Sequence, residues 1–254
     1  MRERIELKTA DEIERIREAS LIVHDILREA AMMIAPGVTT AEIDRMAEER
    51  TSERGALPAF KGYRGYPSVI CISINEEVVH GIPSPKRVLR EGDIVGLDFG
   101  VVYNGYFGDS ARTVPVGKVS AEAERLLQAT EESLGRAIAA AQPTGRLGDV
   151  GAAVQTFVEA RGFSVVRKFV GHGIGRQLHE EPKVPNFGTA GTGERLRPGM
   201  VLAIEPMVNE GSPDIRVLDD GWTAVTADGR LSAHFEHTIA ITEDGPKILS
   251  RPAN

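Results

Sequence analysis

Four carboxylates sit in or at the end of apolar, strand-like runs. Asp98 closes Asp93-Ile94-Val95-Gly96-Leu97, and Asp109 follows Tyr106-Phe107-Gly108. Glu205 closes Met200-Val201-Leu202-Ala203-Ile204, and Glu236 lies within His234-Phe235-Glu236-His237-Thr238-Ile239. Apolar flanks imply burial, and a buried carboxylate costs several kcal/mol unless it is paired or holds a metal. A cap or an ion pair explains any one such acid. It does not explain four, because no nearby Lys or Arg supplies four compensating charges. Two divalent cations would neutralise the set, and oxygen-rich ligation suits Mn, Fe, Co or Zn.

The elements that carry these acids repeat. Leu89-Arg90-Glu91-Gly92 leads into Asp98 as Leu196-Arg197-Pro198-Gly199 leads into Glu205, 107 positions later. The same offset aligns Pro36 with Pro143, Ile43 with Val150, Arg54 with Arg161 and Gly55 with Gly162. Matches spread over so much chain indicate a duplicated unit. Two copies delivering buried acids to one place imply a metal site at a pseudo-two-fold axis.

Within the first copy, Asn104-Gly105 is a strong hairpin-turn signal between two strand-like flanks. Pairing outward sets Tyr103 against Tyr106, Gly100 against Asp109 and Asp98 against Ala111. Asp98 and Asp109 then share a face as diagonal neighbours, roughly 7–8 Å apart at the backbone. Gly100 and Gly108 are expected to leave space beside them. In the second copy, strict alternation puts Glu236 on the face of His234 and Thr238.

Apolar spacing predicts helices over 9–35, 40–54, 120–141 and 148–161, with strands filling 56–115 and the C-terminal part. Helices followed by strands in each half indicate an α+β fold, with helices covering one face of an antiparallel sheet. Each half ends in strands that need a partner sheet. The 254 residues are therefore read as one domain of two fused halves, about 11–117 and 118–254.

Composition narrows the function. The 41% hydrophobic and 26% charged fractions are those of a soluble globular chain. No run of about 18 apolar residues exists to span a membrane, and Met1-Arg2-Glu3-Arg4-Ile5-Glu6 lacks the apolar segment of a signal peptide. Cys71 is the single cysteine, which excludes internal disulfides and fits a reducing cytosol. A net charge of −7 argues against nucleic acid as the main ligand.

The chain has six histidines. His172 lies in Gly171-His172-Gly173-Ile174-Gly175, too glycine-rich for a helix, and is read as a strand end or loop where backbone approaches a ligand. His179 follows seven residues later, which excludes a His-Glu-x-x-His zinc helix. His80 sits at a strand end before the turn Gly81-Ile82-Pro83, whereas His24 and His237 read as structural.

Taken together, these residues resemble the type I methionine aminopeptidases, dimetal enzymes of the pita-bread fold, over nearly the whole chain. Gly62-Tyr63-Arg64-Gly65-Tyr66-Pro67, Cys71-Ile72-Ser73-Ile74-Asn75 and Asn75-Glu76-Glu77-Val78-Val79-His80-Gly81-Ile82-Pro83 carry the resemblance further. It implies a five-residue ligand set for two divalent ions. Asp98 would bind one, His172 and Glu205 the other, with Asp109 and Glu236 bridging. It further implies removal of the N-terminal methionine before a small second residue, by attack of a hydroxide shared between the ions.

By the same resemblance, Glu205 would act as ligand and base. His179 would hydrogen-bond the substrate or the developing oxyanion, and His80 would contact the scissile amide. Tyr63, Tyr66, Cys71, Leu178 and Trp222 would line the methionine pocket. Leu178 departs from a usual aromatic and Arg64 from a common histidine. The implied partners are N-termini of nascent polypeptides, met at the ribosome, and the implied state is a cytoplasmic monomer without membrane or nucleic-acid specificity. Two other readings share the scaffold: an Xaa-Pro aminopeptidase, which usually has a further N-terminal domain, and a non-enzymatic binding protein, which usually lacks ligands.

Overall fold

Thr9 and Thr39 each open a helix with the same local device. The Thr hydroxyl accepts the N–H of Glu12 or Glu42, and that glutamate accepts the Thr backbone N–H in return. Such caps contribute about 1 kcal/mol each. In the computed structural model, which describes residues 5–252, the first helix, α1, spans Ala10–Met33 and the second, α2, spans Thr40–Glu53. Met1 to Arg4, part of the argument against a signal peptide, lie outside the described residues. The second half repeats the pair as α3, Ala121–Ala140, and α4, Leu147–Glu159.

The strands of the first half are β1 (Leu57–Pro58), β2 (Cys71–Ile74), β3 (Glu77–Val79), β4 (Ile94–Tyr103) and β5 (Tyr106–Pro115). Those of the second are β6 (Ser164–Val165), β7 (Gly171–Gly173), β8 (Glu180–Val184), β9 (Val201–Ile204) and β10 (Met207–Asn209). They continue with β11 (Ile215–Val217), β12 (Ala224–Thr226), β13 (Ser232–His234), β14 (Glu236–Thr242) and β15 (Gly245–Ile248). One nine-stranded antiparallel sheet crosses both halves in the order β1-β4-β5-β14-β9-β7-β8, with β2 beside β4 and β15 beside β14. Among the described residues, four α-helices, this curved sheet and two three-stranded sheets, β13-β10-β6 and β11-β12-β3, make up the pita-bread α+β fold.

Alternation decides which face each side chain takes. Val95, Leu97, Phe99 and Val101 of β4 pack with Val23, Ile26 and Leu27 of α1. Leu202 and Ile204 of β9 and Ile239 and Ile241 of β14 pack with residues of α3 and α4. The helices thus cover one face. Asp98, Glu205 and Glu236, out of phase with those residues, project to the other.

The hairpin has the register expected from its turn, including Asp98↔Ala111 and Gly100↔Asp109. Two expectations about glycine need correction. A Cβ on Gly108 would lie 2.5 Å from the Ser20 backbone nitrogen, so this glycine makes room for α1 on the helix face and not for the acids. Gly171 and Gly173 likewise admit neighbouring strands: a Cβ on either would meet the Ala203 or Glu181 carbonyl at 2.3 Å. Their role is close strand packing, not access for a ligand.

Candidate active site

The acids meet where the two halves join. Ala111 of β5 pairs with Asp98 on one side and Glu236 on the other, which sets these two carboxylates in one row across three strands. Asp109, one turn of the pleat away, is 4% exposed, and Glu236 is 2% exposed. Thr238 Oγ donates to the Asp109 carbonyl at 2.8 Å, and Ser110 Oγ donates to the Glu236 carbonyl at 2.7 Å. Side-chain clamps of this kind fix the strand positions on which both acids stand.

Burial dominates the electrostatics. It pushes Asp98 up to about 7 and raises Asp109, Glu205 and Glu236 well above the carboxylate range, with mutual repulsion adding to the last three. Asp109 Oδ1 and Glu236 Oε1 are buried without a hydrogen-bond partner. Four acids so arranged are hard to ionise together and poorly satisfied by the protein alone.

His172 completes the set. Its Nδ1–H donates to the Gly173 carbonyl at 2.9 Å, which leaves the Nε2 lone pair free. That nitrogen lies 3.5 Å from Glu205 Oε1 and 4.0 Å from Asp109 Oδ2, beyond hydrogen-bond reach of either. Burial holds the imidazole neutral, with its pKa lowered to about 4. Asp109, His172 and Glu236 offer ligand atoms within 4.8 Å of one another. Orphaned acid oxygens facing a nitrogen lone pair are what a divalent cation resolves, so the donor set fits a metal.

The five expected metal ligands, His80, His179 and the five expected pocket residues all line one cavity of about 310 Å³. Tyr66, Cys71 and Leu178 are buried in one apolar cluster, against which Tyr63 and Trp222 pack. The Tyr66 hydroxyl donates to the Gly81 carbonyl at 3.0 Å, so its ring edge is anchored. Burial, and then the charge of Asp98, raises the Cys71 thiol's pKa, which keeps this residue an apolar wall.

His80 holds a left-handed backbone conformation, φ 62°, at the end of β3. Such strain in a non-glycine residue costs about 1–3 kcal/mol and concentrates at functional sites. Its ring meets Phe169 edge-on at 5.2 Å and Trp222 at 6.2 Å. His179 Nδ1 lies 2.9 Å from the Tyr63 hydroxyl, and the two rings stack at 5.3 Å. Enclosure by the cleft, then His172, Arg64 and His80, lowers the His179 pKa below the usual imidazole range. Arg64 lies exposed at the mouth, its guanidinium 5.4 Å from the Tyr63 ring centre.

The sequence reading missed some of the lining. Phe60, Val79, Lys168, Phe169, Val170 and Met207 also face the cavity, although no spacing rule marks them. Alternation set His234 on the face of Glu236 but gave it no role; its Nε2 lies 3.7 Å from Glu205 Oε2.

With this geometry in place, the class is defined by comparison. Residues 14–243 match the model of metallopeptidase family M24, and the chain belongs to that family. The methionine aminopeptidase of Clostridium perfringens is 53% identical over 96% of this chain and 98% of that protein. A solved structure, the methionine aminopeptidase of Thermotoga maritima, matches with TM-score 0.97 and 49% identity, over 98% of this chain and 100% of that one. The prolidase of Pyrococcus furiosus matches with TM-score 0.78 and 26% identity, and this chain spans 66% of its length.

Proposed function

We propose that the protein is a methionyl aminopeptidase, a metal-dependent hydrolase that removes N-terminal methionine from polypeptides with a small second residue. The carrying observation is one cavity that joins four buried acids and a lone-pair-bearing His172 to an apolar pocket. Relatives named methionine aminopeptidase match nearly end to end, whereas the prolidase match covers two-thirds of that chain at half the identity. The wider likeness therefore favours methionine over an Xaa-Pro substrate.

Asp98, Asp109, His172, Glu205 and Glu236 would hold two divalent ions, drawn from Co, Mn, Fe or Zn. When bound, the ions supply Lewis acidity and lower the pKa of water toward neutrality. The chain's own groups do the rest. His179 Nδ1 lies 2.9 Å from the Tyr63 hydroxyl; with that hydroxyl as donor, Nε2 would carry the ring proton and donate to the substrate carbonyl oxygen as charge develops there. Glu205, kept basic enough by burial, takes up a proton at its carboxylate. His80, neutral with its pKa lowered to about 4 by burial, contacts the scissile amide.

Tyr63, Tyr66, Cys71, Leu178 and Trp222 surround the methionine side chain, an unbranched thioether suited to an apolar, partly aromatic wall. The natural substrates are N-termini of nascent chains, and we place the protein in the cytoplasm as a monomer acting near the ribosome. No described helix is long and apolar enough to cross a membrane. The repeat, about 11–117 and 118–254, is read as one catalytic domain. The test is hydrolysis of Met-Ala and Met-Gly peptides by protein reconstituted with each metal. Release of free methionine supports the reading, and absence of turnover with every metal overturns it.

A further inference from the structure

We infer that His234 is a positioning residue for Glu205, fixing which carboxylate oxygen faces the cavity. The inference rests on the assignment of Glu205 as a metal-holding residue. His234 is not part of the cavity wall and stands behind Glu205, 3% exposed. Its Nε2 is buried without a partner, and the nearest acid oxygen is Glu205 Oε2 at 3.7 Å. The other oxygen, Oε1, lies 3.5 Å from His172 Nε2. Glu205 is thus flanked by two imidazoles of opposite character. His172 offers it a lone pair, because its proton is committed to the Gly173 carbonyl. His234 can offer an N–H.

The backbone of His234 is unusually well held. Its N–H donates to Thr113 Oγ at 2.9 Å, and Thr113 Oγ–H donates to its carbonyl at 2.8 Å. Pairing with Met207 of β10 holds the same residue from the other side. Glu205 is the softer partner, since the terminal torsion of a glutamate is broad. A small swing of its carboxylate brings Oε2 from 3.7 Å into the usual N–H···O range of about 2.7–3.2 Å. That bond satisfies an orphaned buried donor, gives Oε2 a charge-assisted partner and leaves Oε1 turned toward His172 and the cavity. Outer partners of this kind typically change metal affinity 10- to 100-fold.

The test is calorimetric titration of metal-free protein with Mn²⁺, comparing the wild type with His234→Leu and His234→Gln, alongside kcat and KM on Met-Ala peptide. The Leu variant should bind one of the two ions about 10- to 100-fold more weakly, whereas Gln, which keeps an N–H donor, should recover most of that loss. In combination with Glu205→Gln, loss of His234 should add nothing further. Should His234→Leu not fold, His234→Met serves in its place. Wild-type affinity in the Leu variant overturns the inference, as does equal impairment of Leu and Gln at equal melting temperature. A fall to one ion in both variants would make His234 a ligand instead. Failure of the wild type to bind two ions overturns the dimetal reading together with this one.

Discussion

The Nδ1 of His179 lies 2.9 Å from the hydroxyl of Tyr63, and the two rings stack at 5.3 Å. With the phenol as donor across this contact, the ring proton of His179 sits on Nε2, the nitrogen turned away from Tyr63. His179→Ala should lower kcat by about 10²–10³ while both metal equivalents still bind. Tyr63→Phe should give a smaller loss of the same kind. Steady-state kinetics with parallel metal analysis checks both, and a collapse of metal binding in the Ala variant would show His179 to be a ligand.

Asp109 and Glu236 each present an orphaned oxygen to the shared site. Asp109→Asn or Glu236→Gln should abolish turnover and reduce metal stoichiometry together. The metal-free variants should melt no lower than the wild type, because each relieves charge repulsion among buried acids. Full activity at full loading would remove these residues from the ligand set.

Metal affinity should depend on pH with a defined sign. Burial pushes Asp98 up to about 7 and raises the other three acids, so protons compete with cations near neutrality. His172 stays neutral down to about pH 4 and offers no such competition. Apparent affinity should therefore fall as pH drops through about 7, with protons released on binding. Titrations in buffers of different ionisation heat measure that release, and a pH-independent affinity would contradict it.

At the start of α1 the sign is opposite. The Thr9 backbone N–H, then the hydroxyls of Thr9 and Tyr106 and the Arg176 guanidinium, lower the pKa of Glu12 to about 2. A depressed carboxylate stabilises the fold above its unfolded value and loses that contribution as pH falls toward about 2. Glu12→Gln should lower the melting temperature at neutral pH, with the difference from wild type shrinking below about pH 4.3. A constant difference across that range would place the effect in packing alone.

The pocket prediction turns on Leu178, 2% exposed within the apolar cluster of Tyr66 and Cys71. Met-Ala peptides should be cleaved far better than Leu-Ala or Lys-Ala, and formylated methionine should resist. Leu178→Phe should change KM more than kcat, as expected for contacts shared by ground and transition states. Equal kcat/KM for Met-Ala and Leu-Ala would exclude methionine as the preferred residue.

What the sequence made legible was periodic. Asn104-Gly105 set the hairpin register, and the two-residue period placed Asp98 and Glu236 on the face away from the helices. Interactions between distant segments were not legible. Gly108 looked like room for the acids because nothing local reveals α1 crossing behind it, close enough that a Cβ there would lie 2.5 Å from the Ser20 backbone nitrogen. Phe169 entered the cavity wall through a loop with no period, and the partner of His234 lies on another strand. Helix ends shifted by a residue or two, as with α4 at Leu147–Glu159, since end residues are held by caps and tertiary contacts, not by period.

The junction between β5 and β14 is only two residue pairs wide, Ala111 with Glu236 and Ser110 with His237. Asp98 and Asp109 come from one side of it and Glu205 and Glu236 from the other. Neither half owns more than two of the four acids, so the site is a property of the joined sheet and of neither half alone: a substitution that opens these two residue pairs would part the acids while leaving each half's own strands paired.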